Sequence, residues 1–229
     1  FRPIEAAAPQ PLDAAGLRSR EELGAFVDGF VSGELEAYDV AGLTVALVKD
    51  GQLFFAKGYG WADVDRGVPV EADKTLFRPG SVSKLFTWTA VMQLVEQGKL
   101  DLDADVNTYL TQFKVPATYP APITLRNALT HTVGMEDGGI GYLMARSPKE
   151  IVPLARSLAA HTPARVRPVG TSGDGMSSSY SNWATSLAGL IVANVSGVSF
   201  EDYVEANILR PLGMESSTFK EPLPEALEK

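Results

Sequence analysis

Cysteine is absent from the 229 residues, which excludes disulfides, thiolate nucleophiles and cysteine-based metal sites. Histidine is nearly absent: His131 and His161 are the only two, too few and too separated to suggest a metal site without other ligands, so structural roles are the default for both. Positive charge is in deficit. Twenty Lys and Arg against 28 Asp and Glu give a formal net charge of −8, and no basic run occurs, so the electrostatic footprint of a nucleic-acid or anionic-membrane surface is missing. No uncharged apolar run approaches the roughly 20 residues needed to span a bilayer.

What is present is an ordinary globular composition, 45% hydrophobic and 21% charged, in a length that suits one large domain or two small ones. The Ala- and Pro-rich opening, residues 1–16, reads as a flexible lead-in. Residues 17–38 place Leu23, Phe26, Val27, Phe30 and Val31 near helical spacing and predict an amphipathic helix. The runs "LTVALVK" (43–49) and "QLFFAKG" (52–58) flank Asp50-Gly51, a dipeptide suited to the positive φ angles of a type I′ turn, and predict a hairpin.

Pro79-Gly80 then break the chain, and 81–97 reads as a helix stopped by Gly98, apolar on enough positions to be buried on most sides. Further helices are expected at 124–131, 147–161, 183–195 and 199–209, the second of these opened by a capping box from Ser147 to Glu150. The Gly/Ser/Pro-rich stretch 165–179 reads as a loop leading into Tyr180.

At the start of the 81–97 helix, Ser81 and Lys84 stand three residues apart, which puts hydroxyl and amine on one face and within hydrogen-bond reach. A lysine beside a serine acts as its base in the uncharged form, which apolar surroundings and the positive end of a helix both favour. The helix N-terminus also offers backbone N–H groups where a carbonyl oxygen would become an oxyanion. An S-x-x-K string arises by chance about once per few hundred residues, and a second one, Ser217 to Lys220, has neither a glycine turn before it nor an apolar helix after it.

A serine–lysine pair needs a further proton-transfer group for the leaving group and for water. Tyr180-Ser181-Asn182, at the end of the long loop and the start of a helix, is the candidate. A buried aromatic beside a helix cap is the plainer explanation of that tripeptide. No G-x-S-x-G elbow surrounds Ser81, which argues against an α/β-hydrolase triad. Asp101, Asp103 and Asp105 imitate the start of a calcium loop, but Val106 and Gln112 stand where the glycine and bidentate glutamate belong, so a solvated helix cap is the better reading.

Three blocks then recur in order: "GYGWADVDRGVPVEADKTLFRPGSVSKLFTWTAVMQLVEQGKLDLDADVNTYL", "ITLRNALTHTVGM" and "YSNWATSLAGLIVANVSGVSFEDYVEANILRPLGMESSTF". Together they resemble the serine β-lactamase and penicillin-binding-protein superfamily, nearest its class C β-lactamase, D,D-peptidase and esterase branch. The resemblance implies an α+β fold, an antiparallel sheet flanked by helices plus an all-helical region over roughly 80–215, with 17–229 forming the N-terminal portion of one catalytic domain. It implies that Ser81 forms an acyl-enzyme, that Lys84 and Tyr180 share proton transfer, and that Asn182 contacts the substrate amide. The Tyr-Ser-Asn form of the second motif favours the class C side over class A.

The implied substrates are small-molecule or peptide acyl compounds: β-lactams, D-alanyl peptides or amides, or esters. No cofactor, zinc, nucleotide or nucleic acid is implied, and an extracytoplasmic location is. The family's third motif, Lys or His followed by Thr or Ser and then Gly, has no counterpart here; His131-Thr132-Val133-Gly134 comes nearest but matches a different, structural block. The expectation is therefore that the C-terminal strands carrying that motif lie beyond Lys229, that a C-terminal segment or chain completes the domain, and that residues 1–229 alone turn over acyl substrates poorly. The alternative from a different class is a penicillin-recognising sensor or scaffold that acylates without useful turnover or does not react.

Overall fold

The computed structural model describes residues 19–136, 145, 147–170 and 178–228, and it divides at Arg78/Pro79 into two compact units. The lead-in expected for 1–16 lies outside the described residues.

In the first unit, helix α1 (Arg20–Ala37) begins at Ser19, whose hydroxyl accepts the Glu22 N–H, with Glu21 and Glu22 in the first turn where carboxylates complement the helix dipole. Strands β1 (Gly42–Lys49), β2 (Gln52–Asp63) and the short β3 (Val68–Pro69) form an antiparallel sheet in that order. Asp50 and Gly51 both have positive φ, 52° and 73°, the backbone that a two-residue I′ turn requires. The hairpin pairs Ala46 with Ala56, and its register slips once between Leu47 and Val48.

The apolar face expected for α1 is divided by the fold. Leu23, Val27 and Val31 are buried with Phe55 and Tyr59 of β2, whereas Phe26 and Phe30 are exposed and stack on one another with centroids 6.3 Å apart. One helix face can meet one sheet, and the aromatic pair falls outside that arc.

Asp28 joins α1 to β2, accepting hydrogen bonds at 2.7 Å from both Lys57 Nζ and Tyr59 OH. Burial, then the bond to the Asp28 carboxylate, push the Tyr59 phenol up to about 12. A phenol held neutral in the folded state contributes stability that is complete below the ordinary value of 10.0 and is lost as pH rises towards about 12. Absorbance titration at 295 nm should therefore show a late phenolate contribution that Tyr59→Phe removes, beside that of Tyr203, which burial also raises, with resistance to urea declining over the same alkaline interval.

In the second unit, a turn of 3-10 helix (Gly80–Ser83) leads into α2 (Lys84–Glu96), followed by α3 (Leu125–Leu129), α4 (Leu154–Ala160), α5 (Asn182–Ser196) and α6 (Phe200–Val204). Helix α5 is the axis of this unit: Trp183 to Thr185 and Leu187 to Val192 are all buried. Its ends are set by Ser181, whose Oγ accepts the Ala184 N–H, and by Gly197 at φ 78°. Against it pack Ala90, Val91 and Leu94 of α2, Leu125 of α3, Leu158 of α4 and Val204 of α6.

Three sequence expectations change here. Helix α2 is buried on one side only: Lys84, Thr87, Ala90, Val91 and Leu94 face inward while Leu85 and Met92, like Val82 of the preceding turn, are exposed. The helix expected over 147–161 is split into a 3-10 turn at Pro148–Glu150 and α4, because Pro153 has no N–H to donate and holds the residue before it out of the helical region. The helix expected over 199–209 is α-helical only to Val204 and continues as a wider π turn, Glu205–Leu209.

The stretch expected as a loop, 165–179, is pinned at both described ends to residues 131–136. Met135 bridges Arg165, Gly170 N–H donates to Thr132 O at 3.1 Å, and Gly134 N–H donates to Ser179 Oγ at 2.9 Å; residues 171–177 lie outside the described set. Gly134 has φ 71°, and a Cβ there would stand 2.2 Å from the Arg167 carbonyl oxygen, so the close approach of these segments requires glycine.

Candidate active site

Ser81 lies in the 3-10 turn, and Lys84 is the first residue of α2, its backbone N–H directed to the Ser81 and Val82 carbonyls. Lys84 Nζ reaches back over that turn and donates to Ser81 Oγ at 2.9 Å. The same nitrogen donates at 2.7 Å to Oδ1 of Asn182, the first residue of α5. Tyr180, two residues earlier, donates its hydroxyl to Ser81 Oγ at 2.6 Å, and its ring lies under Lys84 Nζ, 4.8 Å from the centroid.

The four residues singled out in the sequence therefore meet at one place, with Ser81 Oγ accepting from both Lys84 Nζ and Tyr180 OH. Exposure grades the cluster: Ser81 is open, Tyr180 is 39% exposed and Lys84 only 9%. An incoming carbonyl can meet the nucleophile while the amine stays covered.

Three electron-rich neutral groups, a hydroxyl, an amide oxygen and a phenol ring, surround Lys84 Nζ. The other serine–lysine pair makes the contrast. Lys220 Nζ lies 3.0 Å from Asp202 and 3.1 Å from Glu205, and its hydrogen bonds, to Asp202 first and then Glu205, hold the ammonium above its usual range. An ammonium clasped by two carboxylates is no base.

The Asn182 side-chain oxygen accepts from Lys84 Nζ, a contact that the motif spacing alone does not announce. His131, within the block "ITLRNALTHTVGM" and 50 residues before Ser181, stacks on the Tyr180 ring at 4.3 Å. Spacing alone gives no sign of this contact; the available signal is that His131 heads a glycine-terminated turn, "HTVG", in a chain with only two histidines.

Among the described residues, no group of three or more acidic or histidine side chains is arranged to hold a metal. In the aspartate run, Asp101 and Asp105 cap the backbone N–H groups of Asp103 and Asn107, and Asp103 pairs with Arg126 at 2.7 Å. A cavity of about 230 Å³ lined by Asp105, Val115, Tyr119, Ile123 and Arg165 shares no residue with the Ser81 cluster.

The beta-lactamase family model matches residues 27–228. The chain belongs to the beta-lactamase family. It is 29% identical over 201 residues to Protein flp of Staphylococcus aureus (strain N315), covering 85% of this chain and 38% of that protein. To the putative penicillin-binding protein PbpX of Bacillus subtilis (strain 168) it is 33% identical over 186 residues, covering 79% of this chain and 43% of the other. A class C beta-lactamase crystal structure superposes with a TM-score of 0.71 at 28% identity, over 91% of this chain and 53% of that one. The fold is thus the α+β fold of the beta-lactamase family, a small antiparallel sheet with helices, and the chain spans about two fifths of the length of these curated relatives.

Proposed function

We propose that this chain carries the acylation centre of a serine hydrolase acting on β-lactam, D-alanyl peptide or amide, or ester substrates. The observation that carries the reading is the double contact of Ser81 Oγ, 2.9 Å from Lys84 Nζ and 2.6 Å from Tyr180 OH. In the first step Ser81 Oγ attacks the substrate carbonyl carbon, its proton passes to Lys84 Nζ acting as base, and the carbonyl oxygen becomes an oxyanion. The C–N or C–O bond then breaks as the leaving group takes a proton through Tyr180, leaving an ester at Ser81.

Hydrolysis runs the same relay backwards: water gives a proton to the relay, attacks the ester, and Ser81 Oγ leaves with a proton returned. Asn182 has two roles in this reading. Its oxygen fixes Lys84 Nζ, and its carboxamide stands at the end of α5 where the acyl amide of a substrate would lie.

The test is incubation with a labelled penicillin and, separately, a p-nitrophenyl ester, followed by intact mass and peptide mapping. An adduct on Ser81 that disappears in Ser81→Ala supports the reading, and release over time assigns a hydrolase. A persistent adduct assigns the penicillin-recognising sensor. No adduct with either reagent, nor with a fluorophosphonate, removes the acyl-transfer reading.

A further inference from the structure

We infer that His131 is a positioning residue that holds Tyr180 against Ser81. The inference rests on the reading above that Tyr180 moves a proton at Ser81.

Three successive residues around Tyr180 are gripped by this one histidine. The His131 carbonyl accepts the Ser179 N–H at 2.7 Å. Its ring lies on the Tyr180 ring, 4.3 Å between centroids with planes 29° apart. Its Nδ1 accepts the Ser181 N–H at 3.3 Å. The opposite support comes from α2, where Trp88 meets the imidazole edge-on at 6.0 Å and 65°. Tyr180 thus sits at the end of an aromatic series Trp88, His131, Tyr180, with its hydroxyl on Ser81 Oγ at 2.6 Å.

The backbone supports the same conclusion. His131 has φ 55°, a left-handed conformation that is uncommon for non-glycine residues, though histidine adopts it more readily than most. The turn it opens is held by Thr132 N–H to Asn127 O at 2.9 Å and by Gly134 N–H to Ser179 Oγ at 2.9 Å.

The grip is conditional on protonation. A backbone N–H can only donate, so Nδ1 must be bare and the neutral ring carries its proton on Nε2. Protonation of Nδ1 would set N–H against N–H at Ser181 and loosen the segment that presents Tyr180. Among the described residues, the other titratable and charged groups on the elements packed here include the Tyr180 phenol and, across its ring, Lys84 of α2; Arg126 of α3, paired with Asp103; Glu136, at the end of the turn's own segment; Arg165, which donates to Ala121 O at 2.9 Å; and Arg167, which donates to Ser178 O at 3.2 Å. Histidine ordinarily titrates near pH ~6.5 and tyrosine and lysine near ~10.

Two variants separate the ring from the acceptor. His131→Asn keeps an acceptor where Nδ1 stands and tolerates the left-handed backbone, but cannot titrate; His131→Phe keeps the stacked ring and loses the acceptor. In the full chain, H131F should lower the maximal rate of Ser81 acylation by a p-nitrophenyl ester about 10- to 100-fold, with the half-saturating ester concentration moving less than about threefold. H131N should stay within about fivefold of the parent rate and lose the acid-side fall in rate that the parent shows around pH ~6 to ~7. An unchanged rate in H131F, or an acid limb in H131N identical to the parent's, overturns the inference.

A parallel NMR titration of the unmodified chain decides the point even if no adduct forms, in which case the acyl-transfer reading alone has failed. The Ser181 amide and Tyr180 ring signals should move with the His131 ring signals through a single midpoint, and independent titration would sink the positioning role.

Discussion

Replacing Lys84 with methionine is expected to slow acylation of Ser81 by about 10²- to 10⁴-fold, the usual worth of a positioned general base. Methionine matches the length of the lysine stem and suits a position 9% exposed, so the first turn of α2 keeps its packing while Ser81 Oγ and Asn182 Oδ1 both lose their contact with Nζ. Lys84→Arg sharpens the test. A guanidinium keeps the positive charge and hydrogen-bonding capacity but does not give up its proton, so K84R should be as slow as K84M if Lys84 acts as a base and close to the parent if it acts only as a fixed charge. Lys220→Met is the internal control: that ammonium already serves Asp202 and Glu205, and its loss should leave acylation unchanged. Rates come from the growth of the Ser81 adduct by intact mass, and a K84M rate within about threefold of the parent would move the base role to Tyr180.

The contrast between the two S-x-x-K strings shows where sequence was informative. Ser81 and Lys84 are legible because a three-residue spacing forces proximity on any helical turn, and Pro79-Gly80 mark where that turn begins. Ser217 and Lys220 have the same spacing, and only their surroundings, two acidic side chains from α6 and its continuation, decide that the amine is an ion-pair partner. The approach of Tyr180 and Asn182 to Ser81 is a tertiary fact, readable beforehand only through the resemblance of whole blocks.

What sequence could not supply follows a common physical pattern. Periodicity places Phe26 and Phe30 on the apolar side of α1, and Leu85 and Met92 on that of α2, but it does not say how wide the facing surface is; both helices meet a partner on a narrower arc than their composition suggests. Pro153 was visible as a breaker inside an otherwise helical run, and the chain obeyed it rather than the capping signal at Ser147. His131 is the hardest case. Its contacts to Ser179, Tyr180 and Ser181 arise from the paired course of 131–136 and 165–170, which no local pattern encodes.

Trp183→Ala is expected to cost about 3 to 5 kcal/mol of folding stability, and to slow acylation as well. Trp183 is 1% exposed, its indole N–H donates to Leu158 O at 3.0 Å, and Phe113 meets its ring edge-on at 6.4 Å. Truncation would leave a cavity between α4 and α5 and remove one of the two side-chain donors to the Leu158 carbonyl, the other being Thr162 Oγ1 at 3.0 Å, a loss that is a large fraction of the ~5 to ~15 kcal/mol stability of a typical domain. The functional consequence follows from helix geometry. Successive residues on a helix point about 100° apart, so the turn that buries Trp183 is the turn that aims Asn182 at Lys84, and anchoring one residue orients the next. Trp183→Phe keeps most of the apolar volume and gives up the hydrogen bond, so it should lose far less stability and stay close to the parent in acylation rate. Urea denaturation measures the first effect, and adduct formation under conditions where each variant is fully folded measures the second. A W183A chain with an unchanged unfolding midpoint would contradict the packing of α5, and one that is destabilised yet acylates at the parent rate would show that Asn182 is oriented by Ser181 and the helix cap alone.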